Sequence, residues 1–111
     1  MYTMDGYQQA AVRTAPKDKD FNQLIDLCAL GITGEGGEVA DHVKKILHHG
    51  HEVNETEIIK ELGDIMWYIA NMAICLGYTL DEVAAINIDK LQKRYPKGFS
   101  AERSINRNDG E

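Results

Sequence analysis

The chain contains only two prolines, Pro16 and Pro96, and the long stretch between them lacks the residue that breaks helices most strongly. Within this stretch apolar residues recur at steps of three and four, and no segment alternates convincingly with a period of two. This pattern predicts an all-α protein, built from four helices packed as a bundle. With 111 residues, the chain is expected to form a single domain over residues 1–111.

Local signals divide the chain into helices. A short helix from about Met4 to Arg13 and a connector make up residues 1–19, and Asp20 can cap the next helix. The segment Thr79-Leu-Asp-Glu82 has the form of a capping box. The remaining expected segments are three helices and a polar, irregular tail: Phe21 to Leu47, Glu55 to Leu76, Leu80 to Arg94, and residues 97–111.

Four glycines fall inside the second predicted helix, in Gly31-Ile-Thr-Gly-Glu-Gly-Gly-Glu38. Each costs a helix about 1 kcal/mol relative to alanine. Either the helix is continuous and the glycines admit something close to its backbone, or a loop joins two shorter helices. The apolar spacing on both sides favours the continuous helix.

The net charge of −6 comes from 18 acidic and 12 basic residues. This balance argues against nonspecific binding of nucleic-acid polymers and against docking on an anionic membrane. Cys28 and Cys75 each lie in an apolar run, which is typical of reduced core thiols. The N-terminus carries no apolar signal core, and no apolar run approaches the length of a membrane span. We therefore expect a soluble, cytoplasmic protein.

Two pairs of carboxylates carry the chemical signal, Glu35-Gly-Gly-Glu38 and Glu61-Leu-Gly-Asp64. Residues three apart on a helix share a face, so each pair points two carboxylates in one direction. On antiparallel neighbouring helices the pairs would converge on one site, and hard cations such as Mg²⁺ prefer these oxygen ligands. Both pairs border the apolar stripe, have glycines beside them and lack an obviously placed lysine or arginine. The sequence therefore favours a metal site over ordinary surface acids, although one ExxE motif alone would be weak support.

Three segments that contain or follow these acids resemble a known family. They are Gly31-Ile-Thr-Gly-Glu-Gly-Gly-Glu-Val-Ala-Asp41, Glu61-Leu-Gly-Asp-Ile-Met-Trp-Tyr68 and Lys93-Arg-Tyr-Pro-Lys-Gly-Phe99. In this order they closely resemble the MazG-like nucleoside triphosphate pyrophosphohydrolases of the all-α NTP pyrophosphatase superfamily. The pattern of that family is ExxE, a spacer and ExxD, and the resemblance covers about two thirds of this chain.

The resemblance implies a MazG-like domain that hydrolyses a nucleoside triphosphate to the monophosphate and pyrophosphate, with house-cleaning of non-canonical nucleotides as one such role. Mg²⁺, with Mn²⁺ as an alternative ion, would be held by the four acids of the motifs, which are also the catalytic residues: Glu35, Glu38, Glu61 and Asp64. Water would attack the α-phosphorus, and which acid serves as general base stays open. The resemblance further implies a homo-oligomer, dimer or tetramer, with sites near the subunit contacts.

Five side chains around the end of the fourth predicted helix are candidates for binding the phosphates: Asn87, Lys90, Lys93, Arg94 and Tyr95. Asn87, Lys90 and Arg94 share a helix face and match positions of the family. The planar guanidinium of arginine suits phosphate oxygens. A solvated basic helix end is the alternative, and for Lys93 it carries equal weight. Arg103 and Arg107 are weaker candidates. Tyr68 lies one turn after Asp64 and is a candidate for contact with the base or sugar.

Other interpretations of these features differ in the acids and histidines they require. A non-catalytic module that senses nucleotides or metals would not need all four acids. A di-iron bundle wants a Glu-x-x-His motif, and no glutamate here has a histidine three residues later. His48, His49 and His51 form either a metal cluster or, more commonly, a solvated loop at a helix end. The base, the sugar and the number of metal ions stay open.

Overall fold

In a computed structural model, which describes residues 1–107, the chain folds into five α-helices joined by short connections. The described residues contain no β-strand, and the nearest approach to one is an isolated bridge between Pro96 and Gly98. The predicted all-α class is therefore confirmed. The helices are α1 (Met4–Val12), α2 (Phe21–His48), α3 (Glu55–Cys75), α4 (Leu80–Arg94) and α5 (Ala101–Ile105).

The helices begin where the sequence offers side chains that satisfy free backbone amides. Asp20 and Thr79 each form a capping box with the residue three positions on, at the starts of α2 and α4. Asn54 caps α3 by accepting a hydrogen bond from the amide of Glu57 at 3.2 Å. After α2 and α3 the chain turns through Gly50 and Gly77, whose φ angles of 72° and 84° lie in the left-handed region that favours glycine.

Helix α2 runs without a break through its four glycines, so the continuous-helix interpretation is the correct one. The predicted irregular tail is wrong over part of its length, because α5 forms there. Ser100 caps α5, and the guanidinium of Arg103 donates to the backbone carbonyls of Arg94 at 2.6 Å and Lys93 at 3.1 Å. Those two bonds bring α5 back onto the C-terminal end of α4 and satisfy carbonyls that a helix end leaves free. The last predicted tail residues, 108–111, lie outside the described part.

The most extensive packing joins α2 and α3, which form an antiparallel hairpin. A small core lies where α1 meets α3 and the start of α4, and it consists of Ala11, Ala70, Ala73 and Leu80. Gln8 is buried beside it and makes three hydrogen bonds with backbone groups: the carbonyls of Ala70 and Tyr78 and the amide of Leu80. Helix α1 is therefore held to the α3–α4 turn by polar contacts as well as apolar ones.

Helix α4 leaves the hairpin at 97° to α3 and packs on α1 and α3, while α5 lies against its C-terminal end. The radius of gyration is 17.0 Å, against about 13 Å for a compact domain of this length. Large apolar side chains of α4 stay exposed, among them Ile86, Ile88 and Leu91. A single protomer thus does not show the closed four-helix bundle that the sequence predicted. Within the described residues no single helix is long and apolar enough to cross a membrane, although the bent pair α3–α4 meets that length and composition together.

Candidate functional site

The register between α2 and α3 is set by a close contact of Gly31 with Tyr68. The ring of Tyr68 lies directly against the backbone of Gly31, where a Cβ atom would overlap it. Trp67 meets Tyr68 edge to face, with ring centroids 5.0 Å apart and planes at 87°. The contact lies one turn before Glu35 on α2 and one turn after Asp64 on α3. It therefore holds the acid-bearing turns of the two helices side by side.

Three of the four predicted acids converge between the helices. Carboxylate oxygens of Glu35, Glu61 and Asp64 all lie within 4.8 Å of one another. Glu38 is exposed and stands outside this group, although its charge still acts on Glu35. The two helical pairs thus meet asymmetrically, with both acids of α3 facing the first acid of α2.

The crowding of like charges changes the ionisation of Glu35. Its pKa rises from an ordinary 4.5 to about 7, first because of a hydrogen bond with Glu61 and then because of partial loss of solvation. The negative charges of Glu61, Asp64 and Glu38 raise the pKa of Glu35 further. Near neutral pH this cluster therefore shares a proton in the absence of a cation.

The donor set fits a hard divalent cation. Three carboxylates within 4.8 Å supply charged oxygen ligands, and no lysine or arginine of residues 1–107 forms an ion pair with them. Asp41, one turn after Glu38, is engaged elsewhere: Lys45 at 2.8 Å and Lys44 at 3.2 Å hold its pKa at about 2. The exposed histidines at the end of α2 gather into no comparable ligand group within the described chain: His48, which is still helical, and His49 and His51, which follow the helix.

An open groove of about 330 Å³ adjoins the acids, and its walls are Glu35, Asp64, Trp67 and Tyr68. The indole Nε1 of Trp67 donates to Thr14 Oγ1 at 2.6 Å, so this ring is fixed from the side of α1. The groove places Tyr68 beside the acids, where the sequence had located it. The sequence alone could not identify Trp67 as part of this groove, since an aromatic residue beside an apolar stripe gives no signal that distinguishes a core ring from a groove wall.

Tyr7 of α1 is a neighbour of the site that the sequence did not indicate. The Tyr7 side chain is partly buried, and burial first and the charge of Asp64 second raise the pKa of Tyr7. In the sequence Tyr7 belongs to the apolar stripe of a short helix, and only the tertiary structure brings that helix next to α3.

The candidate phosphate-binding residues lie apart from the acids. Lys90, Lys93 and Arg94 line a cavity of about 510 Å³ between α4 and α5, together with the two tail arginines, Arg103 and Arg107. Asn87 instead faces an apolar groove between α3 and α4, and Tyr95 packs on Phe99 with centroids 5.3 Å apart. Within one protomer the structure gathers the basic residues, but their cavity and the acid groove have no wall residue in common.

Comparisons with known proteins identify the family of this chain. The model of the MazG nucleotide pyrophosphohydrolase domain family matches residues 23–99, a segment that contains all four predicted acids. The Gene 37 protein of Mycobacterium phage L5 is 39% identical to this chain over 103 residues, which cover 86% of this chain and 90% of the phage protein. No solved structure matches the chain significantly. The chain therefore belongs to the MazG nucleotide pyrophosphohydrolase domain family.

Proposed function

We propose that this protein is a Mg²⁺-dependent pyrophosphohydrolase that converts a nucleoside triphosphate to its monophosphate and pyrophosphate. The observation that carries the proposal is the convergence of Glu35, Glu61 and Asp64 within 4.8 Å, inside the segment that matches the family. A triphosphate adds about four negative charges to these carboxylates, and at close range the repulsion amounts to several kcal/mol. Binding such a substrate therefore requires cations between the acids and the phosphate oxygens.

Under this proposal the three clustered carboxylates hold the metal, and Glu38, one turn along α2, completes the set. The bound cation would offset the phosphate charge and lower the pKa of a water molecule. Side chains of the protein would orient the α-phosphorus towards that water, and one of the four acids would accept its proton. Attack at the α-phosphorus breaks its bond to the bridging oxygen, and pyrophosphate leaves.

The nucleoside is proposed to lie in the groove beside Trp67 and Tyr68. Both rings adjoin the acids, and planar side chains of this kind stack well on a base. Because the indole nitrogen of Trp67 is engaged by Thr14, this ring offers its apolar surface rather than a hydrogen bond. Stacking on an aromatic surface does not distinguish strongly between bases, so this groove would bind many of them. Such broad binding suits a role in removing non-canonical nucleotides.

We also infer a homo-oligomer, dimer or tetramer, in which another copy completes the bundle and the site. Exposed apolar residues on α4 and the large radius of gyration support this inference. The phosphate-binding candidates Lys90 and Arg94 lie on a cavity separate from the acids of their own protomer. An acid groove could therefore receive its basic residues from a second copy. Light scattering after size-exclusion chromatography tests the inference, and a monomer at micromolar concentration would contradict it. A cytoplasmic location stays a prediction.

The test of the reaction is a panel of standard and damaged nucleoside triphosphates with Mg²⁺, analysed by phosphorus NMR in ¹⁸O-labelled water. We expect monophosphate and pyrophosphate, with the label in the monophosphate because water attacks the α-phosphorus. Asp64→Asn and Glu38→Gln should lower turnover by at least about a hundredfold, as is common for loss of a group essential to the transition state. Asp26→Asn, an exposed acid on α2, is the matched control and should keep full activity.

Three results would overturn the proposal. They are orthophosphate as the main product, label in pyrophosphate, and undiminished turnover in both variants. Mg²⁺-dependent nucleotide binding without any turnover across the panel would instead favour a non-catalytic sensing module.

A further inference from the structure

Thr14 lies just after α1, and its hydroxyl connects that helix to the groove beside the acids. Its Oγ1 donates a hydrogen bond to the carbonyl of Ala11 at 2.7 Å and accepts one from Nε1 of Trp67 at 2.6 Å. A threonine hydroxyl has one proton, and the indole nitrogen can only donate. Because that proton goes to Ala11, a lone pair of Oγ1 faces the indole, and the direction of both bonds is fixed.

The helix that carries this contact is itself held in place on α3. Ala11 is buried in the small core, and Gln8, one turn earlier, makes its three hydrogen bonds with backbone groups of α3 and the start of α4. The Ala11 carbonyl therefore has a defined position relative to α3. The bond between Thr14 and Trp67 is exposed, so water can take the place of the hydroxyl if it is removed. Loss of the hydroxyl should thus affect the orientation of the indole more than the fold.

The orientation of Trp67 determines the shape of the groove. The indole is one of its walls, next to Tyr68 and the acids Glu35 and Asp64. The two rings meet edge to face with their planes at 87°, and Tyr68 also lies directly against the backbone of Gly31. Since Tyr68 is held there, a rotation of the indole would change the width of the groove rather than move both rings together.

We propose that Thr14 is a positioning residue for nucleobase recognition, because its hydroxyl holds Trp67 at the angle at which a base can stack in the groove. The inference rests on the proposed function, which places the nucleoside beside Trp67. Thr14 acts on the base and not on the metal, since the clustered carboxylates come from α2 and α3 alone. It also precedes residues 23–99, the segment that matches the family, so α1 and its connector add a contact from outside the matched domain.

The experiment compares a ligand that has a base with one that has none. Full-length protein with Mg²⁺ is titrated by calorimetry with the α,β-imido analogues of dATP, dCTP, dGTP and dTTP, which cannot be cleaved at the α-phosphorus. Inorganic tripolyphosphate is the ligand without a base. For the analogue that the wild type binds most tightly, Thr14→Val should bind about fivefold more weakly, as expected for one lost hydrogen bond, whereas the affinity for tripolyphosphate should change less than about twofold.

Two further variants identify the hydroxyl as the cause. Thr14→Ser keeps the hydroxyl and should bind both ligands like the wild type. Thr33→Val is the matched control, because Thr33 is an exposed residue of α2 whose hydroxyl also donates to a carbonyl of its own helix. It should bind both ligands like the wild type.

Spectroscopy follows the ring itself, since Trp67 is the only tryptophan of the chain. Its fluorescence should change when the analogue binds, and time-resolved anisotropy should show faster ring motion in Thr14→Val than in the wild type. In the wild-type protein, which needs no variant to fold, the single indole N–H gives one ¹⁵N NMR signal. Its proton should exchange with water more slowly than that of free tryptophan, and exchange as fast as in free tryptophan would overturn the inference.

The results separate this inference from the proposed reaction. Equal analogue affinity in Thr14→Val and the wild type, equal weakening for tripolyphosphate, or failure of Thr14→Ser to restore binding would overturn the role of Thr14 and leave the reaction intact. Analogue binding without any change in the emission of Trp67 would overturn the position of the nucleoside, and the role of Thr14 with it. Selective weakening in Thr14→Val of a protein that releases no pyrophosphate would support the role of Thr14 and overturn the reaction.

Discussion

Replacing each glycine of α2 by alanine should show that packing requires a glycine at one position only. The measured quantity is the free energy of unfolding. At Gly31 a Cβ atom would overlap the ring of Tyr68, which packs from α3 against the backbone of α2. At Gly34, Gly36 and Gly37 no atom lies within 4 Å of the position that a Cβ would take. All four are helical residues, so their backbone conformation suits alanine equally well.

The expected magnitudes follow from two opposing effects. Alanine stabilises a helix interior by about 1 kcal/mol relative to glycine, and Gly34→Ala should show this gain. Gly31→Ala receives the same gain but must displace a half-buried aromatic ring, and overpacking of this kind costs about 1–3 kcal/mol. The free energies of unfolding of the two variants should therefore differ by about 1–3 kcal/mol, with Gly34→Ala the more stable. In a domain of this size such a difference corresponds to several degrees in Tm.

Urea unfolding of the metal-free protein, at one fixed protomer concentration, measures these differences. The double variant Gly31→Ala with Tyr68→Ala tests the cause, because removal of the ring should cancel the cost of the added methyl group. Gly31→Ala as stable as Gly34→Ala would refute the reasoning. Additive effects in the double variant would refute the assignment to Tyr68.

Three further predictions concern single residues. The raised pKa of Glu35 stabilises the metal-free fold below about pH 4.5, and this contribution should be lost as pH rises through about 7; Tm against pH should be flatter in Glu35→Gln, and equal slopes would contradict this. Gln8→Ala should lower the free energy of unfolding by about 3 kcal/mol, against almost none for the exposed Gln9→Ala, as measured in urea. Arg103→Ala should abolish the hydrogen-exchange protection of α5 while changing global stability by less than about 1 kcal/mol, and retained protection would contradict its role.

The helices could be predicted from the sequence because their boundaries depend on nearby residues. Asp20, Asn54 and Thr79 bond to amides within three positions, so each cap is visible in the sequence. Helix α5 was missed because a helix of five residues has little stability of its own. It is held by Arg103, whose guanidinium reaches carbonyls nine and ten residues away, and apolar spacing carries no trace of that contact.

For the candidate site, the sequence predicted which acids share a face of one helix, but not how the two helices bring those acids together. Spacing placed Glu35 with Glu38 and Glu61 with Asp64, which are contacts within one helix. The register between helices is decided by Gly31 and Tyr68, so the sequence did not indicate that Glu38 would stand outside the close group. The same register brings Nε2 of His42 to 3.8 Å from Oε1 of Glu61, a contact between helices that spacing within α2 does not indicate.

The position of α4 could not be predicted from the sequence. Hydrophobic periodicity shows that a helix has an apolar face, but it does not show which surface covers that face. Burial of a large apolar side chain contributes about 1.5–3 kcal/mol, and Ile86, Ile88 and Leu91 gain little of it in a single protomer. Among residues 1–107 only five apolar side chains are buried, three of them alanine, although 43% of the chain is hydrophobic. A domain of this length is only marginally stable even when it is compact. These exposed side chains support the proposed homo-oligomer, in which the apolar surface of α4 would form half of an interface.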